Sequence, residues 1–188
     1  MVKEKMREEV KRIWPEIEWI KDKDLKEKVY KTWVYALEQS VLAPKDLEEI
    51  PFTLLIKDCK VTFMEHKRAV VHIAVESANV MNEFFGEKLP IDMDILIAGA
   101  ILIDVGKLIE YEMKDGKAVV GNTGKLLRHP FTGVGLAMRF GIPDEICHMI
   151  AVHSNEGNLG KRTIEGIIIH HADFISYEPF KEDTLRLK

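Results

Sequence analysis

Residues 95–110 read ILIAGAILIDVGKLIE. From Ile95 to Ile103 every position is apolar or glycine, and the run then meets a carboxylate, Asp104. A bilayer-spanning helix takes about 20 apolar residues, so this stretch is too short to be one. A helix apolar on nearly every side is a buried one. Asp104 therefore sits where a carboxylate is desolvated, which is costly unless it is paired. It also falls near the helix C-terminus, where the macrodipole disfavours negative charge. A cation must lie close to it. Lys107, at i+3, can supply the charge, and so can a metal ion; Asp104 alone leaves both readings open.

The flanking sequence is helical in period. Residues 3–14 form a short amphipathic helix that stops at Pro15. Asp24 and Glu27 have capping-box spacing, and Leu25, Val29, Trp33, Leu37 and Val41 recur as one helical stripe. Thr62 and Glu65 form a second capping box, opening a helix to about Phe85 that Gly86 stops. The helix after Pro90 runs to about Val105, with Gly106 as its C-cap. There the period changes. Two short segments flank Asp115-Gly116, a strong hairpin signal, which predicts a β-hairpin over about 109–121. Pro130 and Pro143 suit helix first turns, and a last helix covers about Thr163 to Tyr177. The expected fold is all-α with one small hairpin.

The chain has 188 residues, 46% of them hydrophobic and 31% charged, with no repeat and no linker-like composition. That predicts one domain over 1–188, with a helical region over 1–60 packed on a core over 60–178. A net charge of −4 argues against sequence-blind nucleic-acid coating. Lys125, Arg128, Lys161 and Arg162 read as ordinary surface, so nucleic acid is not the expected partner. Two cysteines, Cys59 and Cys147, exclude a disulfide scaffold or a cysteine zinc cluster. The start, MVKEKMREEVKRI, has no signal-peptide run, which sets a cytoplasmic expectation with no membrane contact. A homo-oligomer is left open.

Seven histidines occur, at 66, 72, 129, 148, 153, 170 and 171. A second carboxylate, Asp173, lies among apolar residues in IIIHHADFIS, and His170 shares its helix face. Singly, each histidine is more often a surface or hydrogen-bonded core residue than a ligand. Together with buried carboxylates they suit Mn²⁺, Fe²⁺, Co²⁺, Ni²⁺ or Zn²⁺ far better than Ca²⁺.

In order, His66, AILIDVGKLIEY around Asp104, GNTGKLLRHPFTGVG around His129, His153 and HHADFIS resemble the HD-domain superfamily of metal-dependent phosphohydrolases over about residues 60–178. The hairpin and the G-K-L-L-x-H segment look most like the HD domain of 3′–5′ exoribonuclease-like members. The resemblance implies an all-helical fold with Asp104 as central metal ligand, His66 and Asp173 on one side of it, and His129 and His153 on the other. It implies catalytic roles for Asp104 and Lys107, with Lys107 and Arg128 meeting a substrate phosphate. The cofactor would be one or two divalent transition metals, at sub-stoichiometric occupancy if the site is weak.

One departure stands out. The histidine of the family's His-Asp doublet is replaced by Ile103, which cannot ligate; His170 is the compensating candidate. Where some two-metal members carry a second histidine, this chain has Ser154 after His153. Two functions follow. One is hydrolysis of a phosphomonoester or phosphodiester of a nucleotide or other small phosphorylated molecule by metal-activated water. The other is a catalytically degenerate HD-like ligand-binding protein without a full metal site.

Overall fold

The computed structural model describes residues 2–185. Nine α-helices and one hairpin are found among them. In chain order they are α1 (Val2–Ile13), α2 (Lys23–Gln39), α3 (Phe63–Phe85), α4 (Met93–Leu102), α5 (Lys107–Glu110), β1 (Tyr111–Lys114), β2 (Lys117–Val120), α6 (Asn122–Leu126), α7 (His129–Met138), α8 (Asp144–Val152) and α9 (Ile164–Tyr177). The fold is all-α, and β1 pairs antiparallel with β2 from Tyr111↔Val120 to Lys114↔Lys117.

The apolar run forms α4, and α4 is the central helix. Every residue from Leu96 to Leu102 is buried. α3, α8, α9 and α2 all pack against it, so no face is left for water. Gly99 makes the closest of these contacts possible: a Cβ there would lie 2.6 Å from Met149 Cε and 3.0 Å from Ile169 Cδ1. α3 opens with the expected capping box, in which the Thr62 hydroxyl accepts from Glu65 N–H and the Glu65 carboxylate accepts from Thr62 N–H.

Three local expectations are corrected. α2 is capped by Asp22, whose carboxylate accepts from the N–H groups of Asp24 and Leu25, not by an Asp24–Glu27 box. The helix ends at Gln39, so Val41 leaves the buried stripe and is 67% exposed. α4 stops at Leu102 rather than continuing to Val105; residues 103–106 are a turn, and Gly106 caps the start of α5. The reason lies across the core. A Cβ on Gly106 would sit 2.1 Å from the carbonyl oxygen of His129 and 2.7 Å from Gly133 N. Glycine lets the first turn of α7 close on the 103–106 turn, which brings His129 beside Asp104.

The N-terminal helices pack on the rest. Ser40 donates its hydroxyl to Leu108 O at 2.6 Å, and the buried Glu16 pairs with Arg68 at 2.7 Å and with His72 at 3.1 Å. No helix among the described residues is long and apolar enough to cross a membrane.

Candidate metal centre

Asp104 is 2% exposed and lies in the turn after α4, at the floor of a cleft of about 420 Å³. Two groups of side chains meet on it. Asp104, His129 and His153 form one; His66, Asp104 and Asp173 form the other. Within each group the ligand atoms lie within 4.8 Å of one another.

In the first group, three lone pairs converge. The Glu110 carboxylate accepts from His129 Nδ1–H at 2.9 Å and from its backbone N–H at 2.6 Å. The Ile150 carbonyl accepts from His153 Nδ1–H at 2.8 Å. Each neutral ring thus carries its proton on Nδ1 and presents Nε2 unprotonated. The two Nε2 atoms are 3.3 Å apart, and Asp104 Oδ1 lies 3.2 Å from one and 3.5 Å from the other. Asp104 Oδ1 is fully buried and accepts no well-formed hydrogen bond.

The second group is closed by cations. Lys67, on α3, is 0% exposed, and its Nζ pairs with Asp104 Oδ2 and, at 2.9 Å, with Asp173 Oδ1. Lys107 Nζ lies 3.2 Å from the same Oδ2 and donates to Phe52 O at 3.2 Å. His66 Nε2 is 3.1 Å from Asp173 Oδ1, and its Nδ1 is 2.8 Å from Ser176 Oγ. An ionised carboxylate can only accept, so the neutral His66 ring carries its proton on Nε2, and the Ser176 hydroxyl donates to Nδ1. The Phe52 ring covers His66, with centroids 4.0 Å apart.

Burial alone would raise both carboxyl pKa values. For Asp104 the charges of Lys107 and Lys67 outweigh burial and hold it well below the usual range. For Asp173 the Lys67 charge and the His66 hydrogen bond do the same. Both stay ionised.

The other sequence-predicted residues are placed as follows. Arg128 sits at the cleft mouth, 3.4 Å from Glu110 and 3.4 Å from Glu156. Lys125 lines the same cleft, whereas Lys161 and Arg162 do not. His170 bonds to the His153 carbonyl at 2.5 Å and belongs to neither ligand group. That bond ties α9 to the backbone at His153. The Ser154 hydroxyl donates to Glu156. Lys67 and Glu110 were missed by motif reading. Lys67 carries a visible signal, since it lies on one helical stripe with Val70, Val71, Ala74 and Ala78, all of them fully buried.

A family model described as HD domain matches residues 63–178. The chain belongs to the HD domain family. Two relatives, both named Ribonuclease Y, come from Acidothermus cellulolyticus and Thermobifida fusca. Each is 32% identical over 102 residues, which is 54% of this chain but only 18% and 17% of the respective relative. The chain therefore matches less than a fifth of the length of these curated relatives. No solved structure matches significantly.

HD domains bind divalent metals and belong to a superfamily of metal-dependent phosphohydrolases. The residues here fit such an ion unequally. Asp104, His129 and His153 offer an unpartnered buried oxygen and two imidazole lone pairs, each ring held from behind by an acceptor, the arrangement found around ligating histidines. His66, Asp104 and Asp173 do not fit one, because an ammonium already joins the two carboxylates and the histidine nitrogen facing them is protonated.

The neutral histidines make stability pH-dependent. Burial, reinforced by the Lys67 charge, pushes His66 down to about 4, against about 6.5 for an exposed imidazole. Burial shifts His129 the same way. The unfolded chain takes up these protons as pH falls through 6.5, and the folded one does so only at lower pH. Stability is therefore full above pH 6.5 and declines from 6.5 towards 4, with His66 alone accounting for roughly 3 kcal/mol. Urea midpoints of the metal-free protein should fall steadily over that window; equal midpoints at pH 7 and pH 5 would contradict it.

Proposed function

We propose that this chain is a metal-dependent phosphohydrolase acting on a phosphomonoester or phosphodiester of a nucleotide or other small phosphorylated molecule. The observation that carries the reading is the convergence of Asp104 Oδ1, His129 Nε2 and His153 Nε2 at the floor of an open cleft. Those three atoms would hold one divalent ion. Such an ion lowers the pKa of water towards neutrality and neutralises charge developing on phosphoryl oxygens.

The protein's own groups do the rest. Glu110 and the Ile150 carbonyl fix both imidazole tautomers, so neither ring turns its N–H into the site. Lys107 reaches the cleft beside Asp104 and can receive a phosphoryl oxygen, while Arg128 and Lys125 stand further out. Phe52, Leu54, Phe174 and Tyr177 supply an apolar wall suited to a base or another flat group. Charge balance favours a phosphate ester. Asp104 and Asp173 cancel Lys67 and Lys107, so a divalent ion leaves two positive charges for a phosphoryl dianion to meet.

The Ribonuclease Y name of the relatives puts RNA among the substrates to try; the net charge of −4 favours small ones. The test loads the metal-free protein with Mn²⁺, Co²⁺, Ni²⁺ or Zn²⁺ and measures products from nucleoside monophosphates, other phosphomonoesters and short oligoribonucleotides. Turnover lost in His153→Ala supports the proposal. A metal-loaded protein that turns over none of them is a binding protein, the alternative that Ile103 favours.

A further inference from the structure

The two halves of the centre share Asp104 but present it differently. Oδ1 faces the lone pairs of His129 and His153, and Oδ2 faces two ammonium groups. We propose that the Lys67 ammonium is the resident cation of the His66–Asp104–Asp173 half, so that the protein uses one divalent ion where its side chains outline two places. The proposal rests on Asp104–His129–His153 holding the ion.

Four observations carry it. Lys67 Nζ bridges the two carboxylates that a metal in that half would need, Asp104 Oδ2 and, at 2.9 Å, Asp173 Oδ1. Its side chain is fully buried on the inner stripe of α3. His66, the remaining group in that half, donates from Nε2 to Asp173, is held at Nδ1 by Ser176 and is covered by Phe52. Finally, with Lys107 also on Oδ2, both carboxylate charges are already balanced, so a divalent ion added there would meet two ammonium groups and no free anion.

An ammonium differs from the ion it replaces. It carries one charge, offers three donors and cannot ligate water. Lys67 is thus a positioning residue: it anchors Oδ2 and thereby holds Oδ1 towards the histidines. The missing ligand at 103 and the lysine at 67 then describe one arrangement, in which Ile103 removes a metal ligand from a half that takes no metal.

The test is a Mn²⁺ titration of the metal-free full chain, followed by calorimetry and by the electron-paramagnetic signal of free Mn²⁺. The wild type should bind one equivalent. His153→Ala should weaken that binding by about a hundredfold or more, and His66→Ala should leave it within about threefold. Lys67→Met combined with Ile103→His should bind two equivalents. Two equivalents in the wild type, or an ion lost in His66→Ala and kept in His153→Ala, overturns the proposal, as does a folded double variant that still binds one. If the double variant does not fold, the wild type and the single histidine variants decide. No binding at all refutes the metal site of the proposed function, a result distinct from two equivalents.

Discussion

Asp104→Asn should lower divalent-metal affinity by more than about a hundredfold and turnover by about a thousandfold. The expectation follows from the isolation of this carboxylate. Oδ1 is the one anionic atom among the three that face the proposed ion, and it is buried with no other partner. An amide either places a neutral oxygen there, losing the attraction for a dication, or turns its NH₂ towards two imidazole lone pairs. On the other side, Lys67 would keep only the Asp173 charge, and Lys107 would lose the carboxylate it pairs with. Both binding and folding should suffer, and they are separable: titration calorimetry reads the first and urea unfolding of the metal-free protein the second. Unchanged metal affinity in a folded Asp104→Asn protein would remove Asp104 from the site.

Lys67→Met should destabilise the metal-free protein by about 3–5 kcal/mol, the range for removing one partner of a buried ion pair. Methionine fills much of the volume, so packing changes little and the electrostatic loss dominates. Asp173 keeps only the neutral His66 as its partner, and Asp104 keeps Lys107 at 3.2 Å. Asp173 is then a desolvated carboxylate with no cation on it, next to a second one that has only Lys107. The urea midpoint at pH 7 reports the loss. A change below about 1 kcal/mol would mean that the lysine contributes little to the buried network.

Much of this architecture is legible in the residues themselves. The apolar run 95–103 announces a buried helix, and Asp115-Gly116 announces the hairpin. Where helices end was less legible, because the ends depend on what packs there. α4 stops early because the first turn of α7 closes on Gly106, a contact between segments far apart in the chain. The HD resemblance picks out five residues, Asp104 with His66 and Asp173 on one side of it and His129 and His153 on the other, and these side chains meet on Asp104 in the same two groups. Their tautomers were not legible. They depend on Glu110, Ile150 and Ser176, which no motif includes. Lys67 belongs to no motif, although its place on the buried stripe of α3 marks it as an ammonium needing an anion.

The most direct test of the account measures product release against metal content. Metal-free protein is reconstituted with Mn²⁺ in steps, and hydrolysis of its best phosphate ester is followed at each step. Activity should rise in proportion to bound metal and level off at one equivalent. Activity that appears only as a second equivalent binds, or none at any metal content, would contradict a centre built from one metal and one lysine.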